Sequence, residues 1–413
     1  MHGGELRSID RYGRFVLLVV FVILLGGRFT LDRLGDYPAW DLRWVGAILI
    51  GLLCLSWATV ARERATAVKI GPLYGWFTAW AGYMALSAFW APKGARALEV
   101  ALDVVLLVAF VWAGWGVAAR LHPRALGSVW WWLYGVGWLY LLGALAGGPD
   151  VQGRYSAFGG GPNVFVRVMA LALLAALFLA ITQRKHWALI GVPAFLAGAY
   201  LSGSRGGLLA LVVVVLLAAR PLIRRVSSKV WGPTAVGAFA FALLAWFIDW
   251  SWLNVMRERF VEQTFQEGYD SGRSEILDRS LAIFDQHLWV GAGLDGYFAL
   301  QGYATAFEYP HNLLAASAAE GGLVGLGLLV AALVAGALRL RRARPLSTDG
   351  LGFALCALFM LVASMFSGDY YDSRFLWFFL GLAVIAAGQR SVTPGPRTTA
   401  AAAPASASSL SRT

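Results

Sequence analysis

Two arginines and one histidine lie in short polar motifs between or next to long apolar stretches of the sequence. The chain reads Ser-Arg-Gly-Gly around Arg205, Gly-Arg-Ser around Arg273 and Pro-His-Asn around His311. A guanidinium is planar, keeps its charge and binds phosphate oxygens through two parallel hydrogen bonds. An imidazole accepts a proton near neutral pH. The three residues therefore predict a site that holds a phosphate group and removes a proton from a second substrate.

The elements that must position these residues are membrane spans. Of the 413 residues, 59% are hydrophobic and only 14% are charged, which is too apolar for a soluble protein of this length. Long uncharged windows predict an all-α, polytopic integral membrane protein with about 12 transmembrane helices. The predicted spans are residues 14–30, 42–60, 73–91, 98–118, 127–147, 163–182, 187–203, 206–219, 231–249, 311–338, 350–367 and 374–389. The seventh and eighth spans could equally be one helix broken at residues 203–207.

One connection is much longer than the others and divides the chain into parts. Spans one to nine occupy residues 1–249, a long outward loop follows at 250–310, and spans ten to twelve occupy 311–390. A tail of Ala, Ser, Thr and Pro at 391–413 is predicted to be disordered and cytoplasmic. Loops this long in compact proteins are usually functional.

The long loop contains a predicted amphipathic helix. Four apolar residues recur at i, i+4, i+7 and i+11 from Leu277, which predicts a helix over residues 273–287 that lies on the membrane or over a cavity. The preceding Asp-Ser-Gly would cap this helix and place Arg273 in its first turn, where free N–H groups favour an anion.

The tenth span is predicted to begin at Pro310, with His311 in its first turn. There the positive end of the helix would disfavour protonation and keep the imidazole available as a base. Glu320 is about half a turn out of phase with His311. We therefore expect Glu320 to pair with a group on another helix, as carboxylates inside membranes usually must.

Basic residues are concentrated on one predicted side of the membrane. If the N-terminus is cytoplasmic, both tails and the even-numbered connections hold most of the 34 lysines and arginines but few of the 23 acidic residues. The formal net charge of +11 is therefore a topology signal and does not indicate nucleic-acid binding. Cys54 and Cys356 both fall inside spans, so no structural disulfide is expected.

A series of short motifs occurs in order along the middle of the chain. Ser-Arg-Gly-Gly is followed by Gly-Arg-Ser-Glu-Ile-Leu and Gly-Ala-Gly in the long loop, then by His-Asn-Leu-Leu and Glu-Gly-Gly-Leu-Val-Gly in the tenth span. Gly-Arg-Tyr-Ser-Ala-Phe and Gly-Pro-Asn precede them. In this order and topology they resemble the bacterial O-antigen ligase and O-antigen polymerase superfamily. The resemblance covers residues 150–330 by motif and the rest of the chain only by span number.

The resemblance implies a glycosyltransferase of the O-antigen ligase type. Such an enzyme transfers O-antigen polysaccharide from undecaprenyl diphosphate to lipid A core oligosaccharide, in lipopolysaccharide biosynthesis. The reaction takes place at the periplasmic face of the bacterial inner membrane, so the long loop would be periplasmic and both termini cytoplasmic. The partners would be this lipid-linked donor, the lipid A core acceptor and membrane lipids, with no nucleic acid.

Alternative functions stay open at this point. An O-antigen polymerase or a protein O-oligosaccharyltransferase belongs to the same superfamily, and a transporter of lipid-linked glycans is a third hypothesis. A single dominant outward loop and the absence of an added soluble domain after the last span favour the ligase. The lack of an obvious internal repeat and the position of the charges at one surface argue against a transporter.

That reaction assigns roles to the residues named above. Arg205 and Arg273 would bind the donor diphosphate, and His311 would be the catalytic base. Further candidates for substrate binding are Arg154, Asn163, Asn312, Glu320, Asp369 and Tyr370. Each role has a structural alternative: an arginine can anchor a span at the interface, a histidine can cap a helix, and an acidic loop can be a charge-paired turn.

No metal or cofactor is expected at this site. The sequence contains no Asp-x-Asp, no His-x-x-x-His and no cluster of carboxylates inside the spans. Arginine can supply the positive charge that a metal ion would otherwise bring to a phosphate. The sequence therefore predicts a metal-independent mechanism.

Overall fold

The described part of the chain consists of α-helices joined by short 3-10 helices and turns. A computed structural model of the protein describes residues 3–34, 36–61, 71–223, 272–301 and 309–389. The α-helices are α1 (Gly3–Gly26), α2 (Leu42–Val60), α3 (Pro72–Leu86), α4 (Ala97–Ala118), α5 (Pro123–Leu126), α6 (Ser128–Gly147), α7 (Gly161–Thr182), α8 (Gly191–Leu201), α9 (Arg205–Ile223), α10 (Arg273–Gln286), α11 (Gly296–Leu300), α12 (Leu313–Arg342), α13 (Thr348–Ala363) and α14 (Arg374–Gly388). The 3-10 helices are Leu31–Leu34, Ser87–Trp90, His186–Ile190 and Tyr371–Ser373.

Among the described residues, six helical segments are long and apolar enough to cross a bilayer. They are Leu42–Val60, Ala97–Ala118, Pro123–Gly147, Gly161–Thr182, Leu313–Arg342 and Tyr371–Gly388, and shorter apolar helices accompany them. The predicted class, an all-α polytopic membrane protein, is confirmed. Every predicted span except the ninth overlaps a described helix, and the seventh and eighth are the separate helices α8 and α9. The ninth span (231–249) and the tail (391–413) lie outside the described residues.

Helix α7 and the segment that contains α14 form the centre of the bundle. In the most apolar 18-residue stretch of each, 83% and 89% of the residues are buried. The corresponding value for α2 is 22%, so α2 faces lipid. Trp130 of α6 stacks between Phe178 of α7 and Phe353 of α13, with ring centroids 5.0 and 4.5 Å away. Lipid is as apolar as these side chains, so helices in a bilayer associate through close packing of this kind.

One end of the bundle gathers the connections that carry the predicted site residues, and we call it the site end. Arg28, after α1, donates to Asp369, before α14, at 2.6 Å and to Asp103 of α4 at 2.7 Å. Arg96, before α4, donates to Asp295, before α11, at 3.2 Å. Loops that are distant in the sequence therefore meet at this end, as the predicted alternation of spans requires. The side of the membrane that it faces stays a prediction.

The Glu-Gly-Gly motif interrupts helix α12, and the Gly-Ala-Gly motif docks on the interruption. Gly322 lies inside the helix at φ 62° and ψ −160°, which is not helical. N–H groups of residues 292–293 donate to carbonyls of residues 319–320, and N–H groups of residues 323–324 donate to carbonyls of residues 288–289, over 2.8 to 3.2 Å. The loop thus replaces the hydrogen bonds that the helix loses, which a bilayer cannot supply.

Glycine is required on both sides of this junction. A Cβ on Gly291 would overlap the carbonyl of Glu320, and a Cβ on Gly322 would stand 2.5 Å from the carbonyl oxygen of Trp289. Both glycines also have positive φ, a backbone conformation that other residues rarely adopt. The two motifs therefore join the long loop to the membrane bundle.

Helix α10 confirms the amphipathic helix predicted in the long loop, but a different face of it packs against the protein. Ile276 and Ile283 are buried in a cluster that includes Ala319 of α12, whereas Leu277 and Leu281 are 42% and 48% exposed. The apolar repeat that begins at Leu277 therefore lies on the exposed side. Of the predicted cap, residues 270–271 lie outside the described residues.

Candidate active site

Arg205 begins helix α9, and α7 holds that end of the helix in place. The hydroxyl of Ser204, the preceding residue, donates to Oδ1 of Asn163 at 2.8 Å and accepts from the N–H of Gly207 at 3.4 Å. Because Asn163 lies in the first turn of α7, the N-terminal ends of α7 and α9 lie side by side. Their dipoles add a positive field around Arg205.

The two glycines at the start of α9 are required by close packing. A Cβ on Gly206 would overlap Phe366, just after α13, and a Cβ on Gly207 would overlap Val166 of α7. Gly203, in the turn between α8 and α9, has φ +60°. These glycines therefore allow a sharp reversal of the chain and a close approach of the helices.

Arg273 begins helix α10 and reaches the same aromatic ring. Its guanidinium carbon lies 5.9 Å from the centroid of the Phe366 ring, within the distance at which a cation is attracted to an aromatic face. Arg205 and Arg273 are thus the first residues of two helices that converge on Phe366. Free N–H groups in the first turn of a helix attract anions. Both predicted phosphate-binding residues therefore lie where a phosphate would be favoured.

His311 lies just outside helix α12. The helix begins after Asn312, whose Oδ1 accepts from the N–H groups of residues 314 and 315 at 3.0 and 3.1 Å. The prediction that Pro310 opens the helix and that His311 lies in its first turn is wrong, because the asparagine side chain caps the helix two residues later. His311 instead adopts a left-handed backbone conformation with φ +53°.

The imidazole of His311 is held in its neutral form. It packs against the ring of Tyr309, with centroids 4.2 Å apart. Burial, and then the positive charge of Arg273, lowers the pKa of His311 to about 4, against an opposing contribution from Asp372. Burial is a larger cause of the neutral imidazole than the helix start that the sequence suggested. At neutral pH the side chain can therefore accept a proton.

Residues 363–368, at the end of α13, tie these elements together, and we call them the hub. The N–H of Leu313 donates to the carbonyl of Ser364 at 3.0 Å, which fixes the start of α12. Arg167 of α7 is buried and donates to the carbonyl of Ser367 at 2.7 Å. Through Phe366 the hub also contacts α9 and α10. The hub therefore anchors the helices that carry Asn163, Arg205 and Arg273 and the helix that follows His311.

Sequence reasoning missed Phe366, Arg167 and Tyr309. An arginine inside a span is a functional signal by itself, so Arg167 could have been singled out. Tyr309 precedes the Pro-His pair, which offered a weaker hint. Phe366 carried no signal, because phenylalanine is common in so apolar a chain.

Arg154 lies in the loop before α7 and contacts the turn between α8 and α9. Its Nε donates to the carbonyl of Ser202 at 3.1 Å, and the N–H of Tyr155 donates to the carbonyl of Leu201 at 3.0 Å. The loop before α7 therefore docks beside the start of α9. The roles of Arg154, Asn163 and Asn312 in substrate binding stay predictions, and the observed contacts of these residues position helix ends.

Glu320, Asp369 and Tyr370 form a second group. The hydroxyl of Tyr370 donates to Oε2 of Glu320 at 2.8 Å, so the prediction that Glu320 pairs outside its own helix is confirmed. Asp369 accepts from Arg28 at 2.6 Å. The three residues line a polar cavity that Tyr309 and Pro310 also line. The predicted site residues thus form two groups. One group surrounds Arg205 and Arg273, and we call it the arginine region. The other lines the neighbouring cavity.

The arginine region has the groups needed to bind a diphosphate and to deprotonate a hydroxyl. Two guanidinium groups and two helix N-termini supply positive charge, and a neutral imidazole lies beside them. Within the described ranges, no three His, Cys, Asp or Glu side chains come together in a way that could hold a metal ion. Metal independence stays a prediction.

One comparison with known proteins bears on this geometry. The family model described as O-antigen ligase matches residues 190–330. The matched range contains Arg205, Arg273, His311 and Glu320, and it includes the loop that docks on α12. The resemblance to the O-antigen ligase superfamily is therefore confirmed. No curated protein sequence matches the chain.

Proposed function

Because residues 190–330 match the O-antigen ligase family, we propose that the protein transfers a glycan from undecaprenyl diphosphate to lipid A core oligosaccharide. The reaction is assigned to the site end, at the periplasmic face of the bacterial inner membrane, with both termini in the cytoplasm. The observation that carries the proposal is that Arg273 lies over Phe366, against which the residue after Arg205 packs, and acts electrostatically on the neutral His311.

In the proposed reaction the acceptor hydroxyl attacks the anomeric carbon of the donor glycan. The bond between that carbon and the diphosphate oxygen breaks, and its electron pair leaves with undecaprenyl diphosphate. The proton of the acceptor hydroxyl passes to the imidazole of His311. Arg205 and Arg273, together with the first-turn N–H groups of α9 and α10, stabilise the negative charge that grows on the leaving phosphate.

The two arginines supply the charge that a divalent cation provides in many phosphate sites. We therefore propose that transfer needs no metal. Purified protein in detergent should keep its full rate when EDTA is added. An absolute requirement for Mg²⁺ or Mn²⁺, seen while the protein stays monodisperse, would contradict this part of the proposal.

The central experiment removes each arginine. Arg205→Ala and Arg273→Ala should each lose about 2 to 4 kcal/mol of transition-state stabilisation, which is about 30- to 900-fold in rate. Arg→Lys should restore little, because a lysine lacks the planar fork. Expression and thermal stability should stay near those of the wild type.

Arg279→Ala is the matched control. Arg279 lies on the same helix as Arg273 and pairs with Glu275 on its exposed surface, so its removal should leave transfer unchanged. If Arg205→Ala or Arg273→Ala transfers glycan as fast as Arg279→Ala, that arginine only anchors its helix at the interface.

The acceptor distinguishes the ligase from its relatives. Lipid-linked donor and lipid A core together should yield glycosylated lipid A core. Ladders of longer glycan on undecaprenyl diphosphate, formed without any lipid A core, would identify a polymerase. Glycan on an added acceptor protein would identify a protein O-oligosaccharyltransferase. Translocation of the donor across vesicles without new glycosidic bonds would identify a transporter.

A further inference from the structure

A polar cavity of about 220 Å³ lies at the site end beside the loop that carries His311. Its walls come from α4, from Asp295 before α11, from the broken helix α12 and from residues 368–370 of the last connection. Tyr309 and Pro310 complete the lining. The transfer chemistry proposed above uses none of the acidic groups in this cavity.

The lining carries an excess of carboxyl groups. The acidic residues are Glu99, Asp103, Asp295, Glu320 and Asp369, and the basic residues are Arg28 and Arg96. Both positive charges are matched within the wall, because Arg28 pairs with Asp103 and Asp369 and Arg96 pairs with Asp295. Arg43, behind the wall, also pairs with Asp103 at 2.6 Å. Glu99 is exposed and forms no ion pair with a described residue. Glu320 is buried and accepts from Tyr370, so the acidic character of the cavity is concentrated at Glu99, where it is accessible.

The arginine region and the cavity adjoin each other but have opposite charge. His311 directly follows the two residues that line the cavity, and Arg273 acts electrostatically on His311. The base therefore lies between a positively charged region and an acidic one. A donor that carries a diphosphate is attracted to the first region and repelled by the second.

We infer that the acidic cavity holds the accepting sugar, and that this sugar is neutral or carries an amine. This inference rests on the proposed function. Carboxylates only accept hydrogen bonds and sugar hydroxyls can donate them, while Arg28 and Arg96 can donate to the hydroxyl oxygens. An ammonium group would pair with the excess carboxylates, whereas a phosphate or a second carboxylate would meet like charge. The cavity thus determines which terminal sugar of the acceptor reaches His311.

A series of acceptors that differ only in the terminal sugar tests this inference. Lipid A core oligosaccharides would end in a neutral hexose, in a hexosamine with a free amine, in a hexose phosphate or in a hexuronate. The wild type should show an acceptor KM about tenfold lower for the first two than for the anionic pair. Equal KM values across the four acceptors would overturn the inference.

Glu99→Gln makes the test specific to the cavity. The substitution keeps the size of an exposed side chain and removes one carboxylate, so folding should be unaffected. It should raise the KM for the amine-bearing acceptor severalfold and reduce the discrimination against the anionic ones, with the donor KM unchanged. Glu275→Gln, on the exposed surface of α10, is the control and should change neither. An altered donor KM with unaltered acceptor discrimination would also overturn the inference.

A binding measurement separates this inference from the proposed function. If none of the acceptors is glycosylated, the proposed function fails. Calorimetric binding of the same four oligosaccharides, freed from lipid A, then tests whether the cavity binds a sugar. Preference for the neutral and amine forms that weakens in Glu99→Gln supports the acidic cavity as a sugar site. Absent or indiscriminate binding shows that these residues form only a structural ion-pair network.

Discussion

His311 should titrate far below an ordinary histidine in the protein without substrate. Burial and Arg273 lower the pKa of His311 to about 4. At pH 6 only about 1% of this side chain would then be protonated, against about 75% for a histidine with the usual pKa of about 6.5. The base is therefore in its active form throughout the neutral range, so kcat/KM should be flat from about pH 6 to 8. The acid limb should appear near pH 4 and not near the 6.5 of an ordinary histidine.

Donor binding should reverse part of this shift. A base with so low a pKa is a weak proton acceptor. A diphosphate beside Arg273 compensates the positive charge that helps to hold the pKa of His311 down. The pKa of His311 should therefore rise when undecaprenyl diphosphate binds, and by linkage the lipid should bind more tightly as the pH falls. The imidazole becomes a stronger base only when the donor is in place.

Histidine NMR measures both effects directly. The chain has 5 histidines, and His311→Gln identifies the resonance of His311. The pKa would be followed with and without undecaprenyl diphosphate, and in Arg273→Gln, where it should rise but stay below 6.5 because burial remains. A pKa of 6.5 or higher in the free protein would show that burial and Arg273 do not hold the imidazole neutral. Transfer by His311→Gln at nearly the wild-type rate would show that His311 positions substrate and is not the base.

The remaining predictions concern stability. Gly291→Ala should lower the Tm, at a cost of about 1 to 3 kcal/mol, because its Cβ would overlap the carbonyl of Glu320. Gly327→Ala, in the same helix α12 but with nothing within 4 Å of its Cβ, should keep or raise the Tm, and an equal loss in both variants would contradict the docking of the loop. Tyr370→Phe removes the hydroxyl that donates to buried Glu320 and should cost about 1 to 3 kcal/mol; an unchanged Tm would mean that this hydrogen bond is dispensable. The lowered pKa of His311 means that the folded protein binds fewer protons than the unfolded chain between about pH 4 and 6.5. The corresponding stability is present above pH 6.5 and is lost as the pH falls through about 4, and His311→Gln should flatten this part of a pH series of thermal melts.

Some sequence rules failed where two local signals competed. Pro310 and Asn312 both mark helix starts, and the asparagine cap prevailed, so His311 lies outside the helix. In α10 the repeat from Leu277 and the pair Ile276 and Ile283 both have helical spacing. Periodicity predicts that a helix forms, but the neighbouring element decides which stripe is buried.

The sequence alone was enough to predict the class of the protein, its long apolar helices and the residue types of its chemistry. A span needs about 20 consecutive apolar residues, and each helical hydrogen bond joins residues close in the chain, so both can be read locally. Arg205, Arg273 and His311 were identified from their residue types and from the order of their motifs. Their charges were predicted to lie at one membrane surface because basic residues are concentrated on the other predicted side.

How these groups meet depends on contacts that form only in the folded protein. Arg28 and Asp369 are 341 positions apart in the chain, and the anchor at Phe366 joins helices that begin at residues 205 and 273. The docking of residues 288–293 on the break in α12, the burial of His311 and the acidic cavity likewise have no counterpart in any single motif. They depend on contacts between helices, which are set by side-chain shape and by how closely glycine lets distant segments approach, and a linear pattern of residues does not encode those distances.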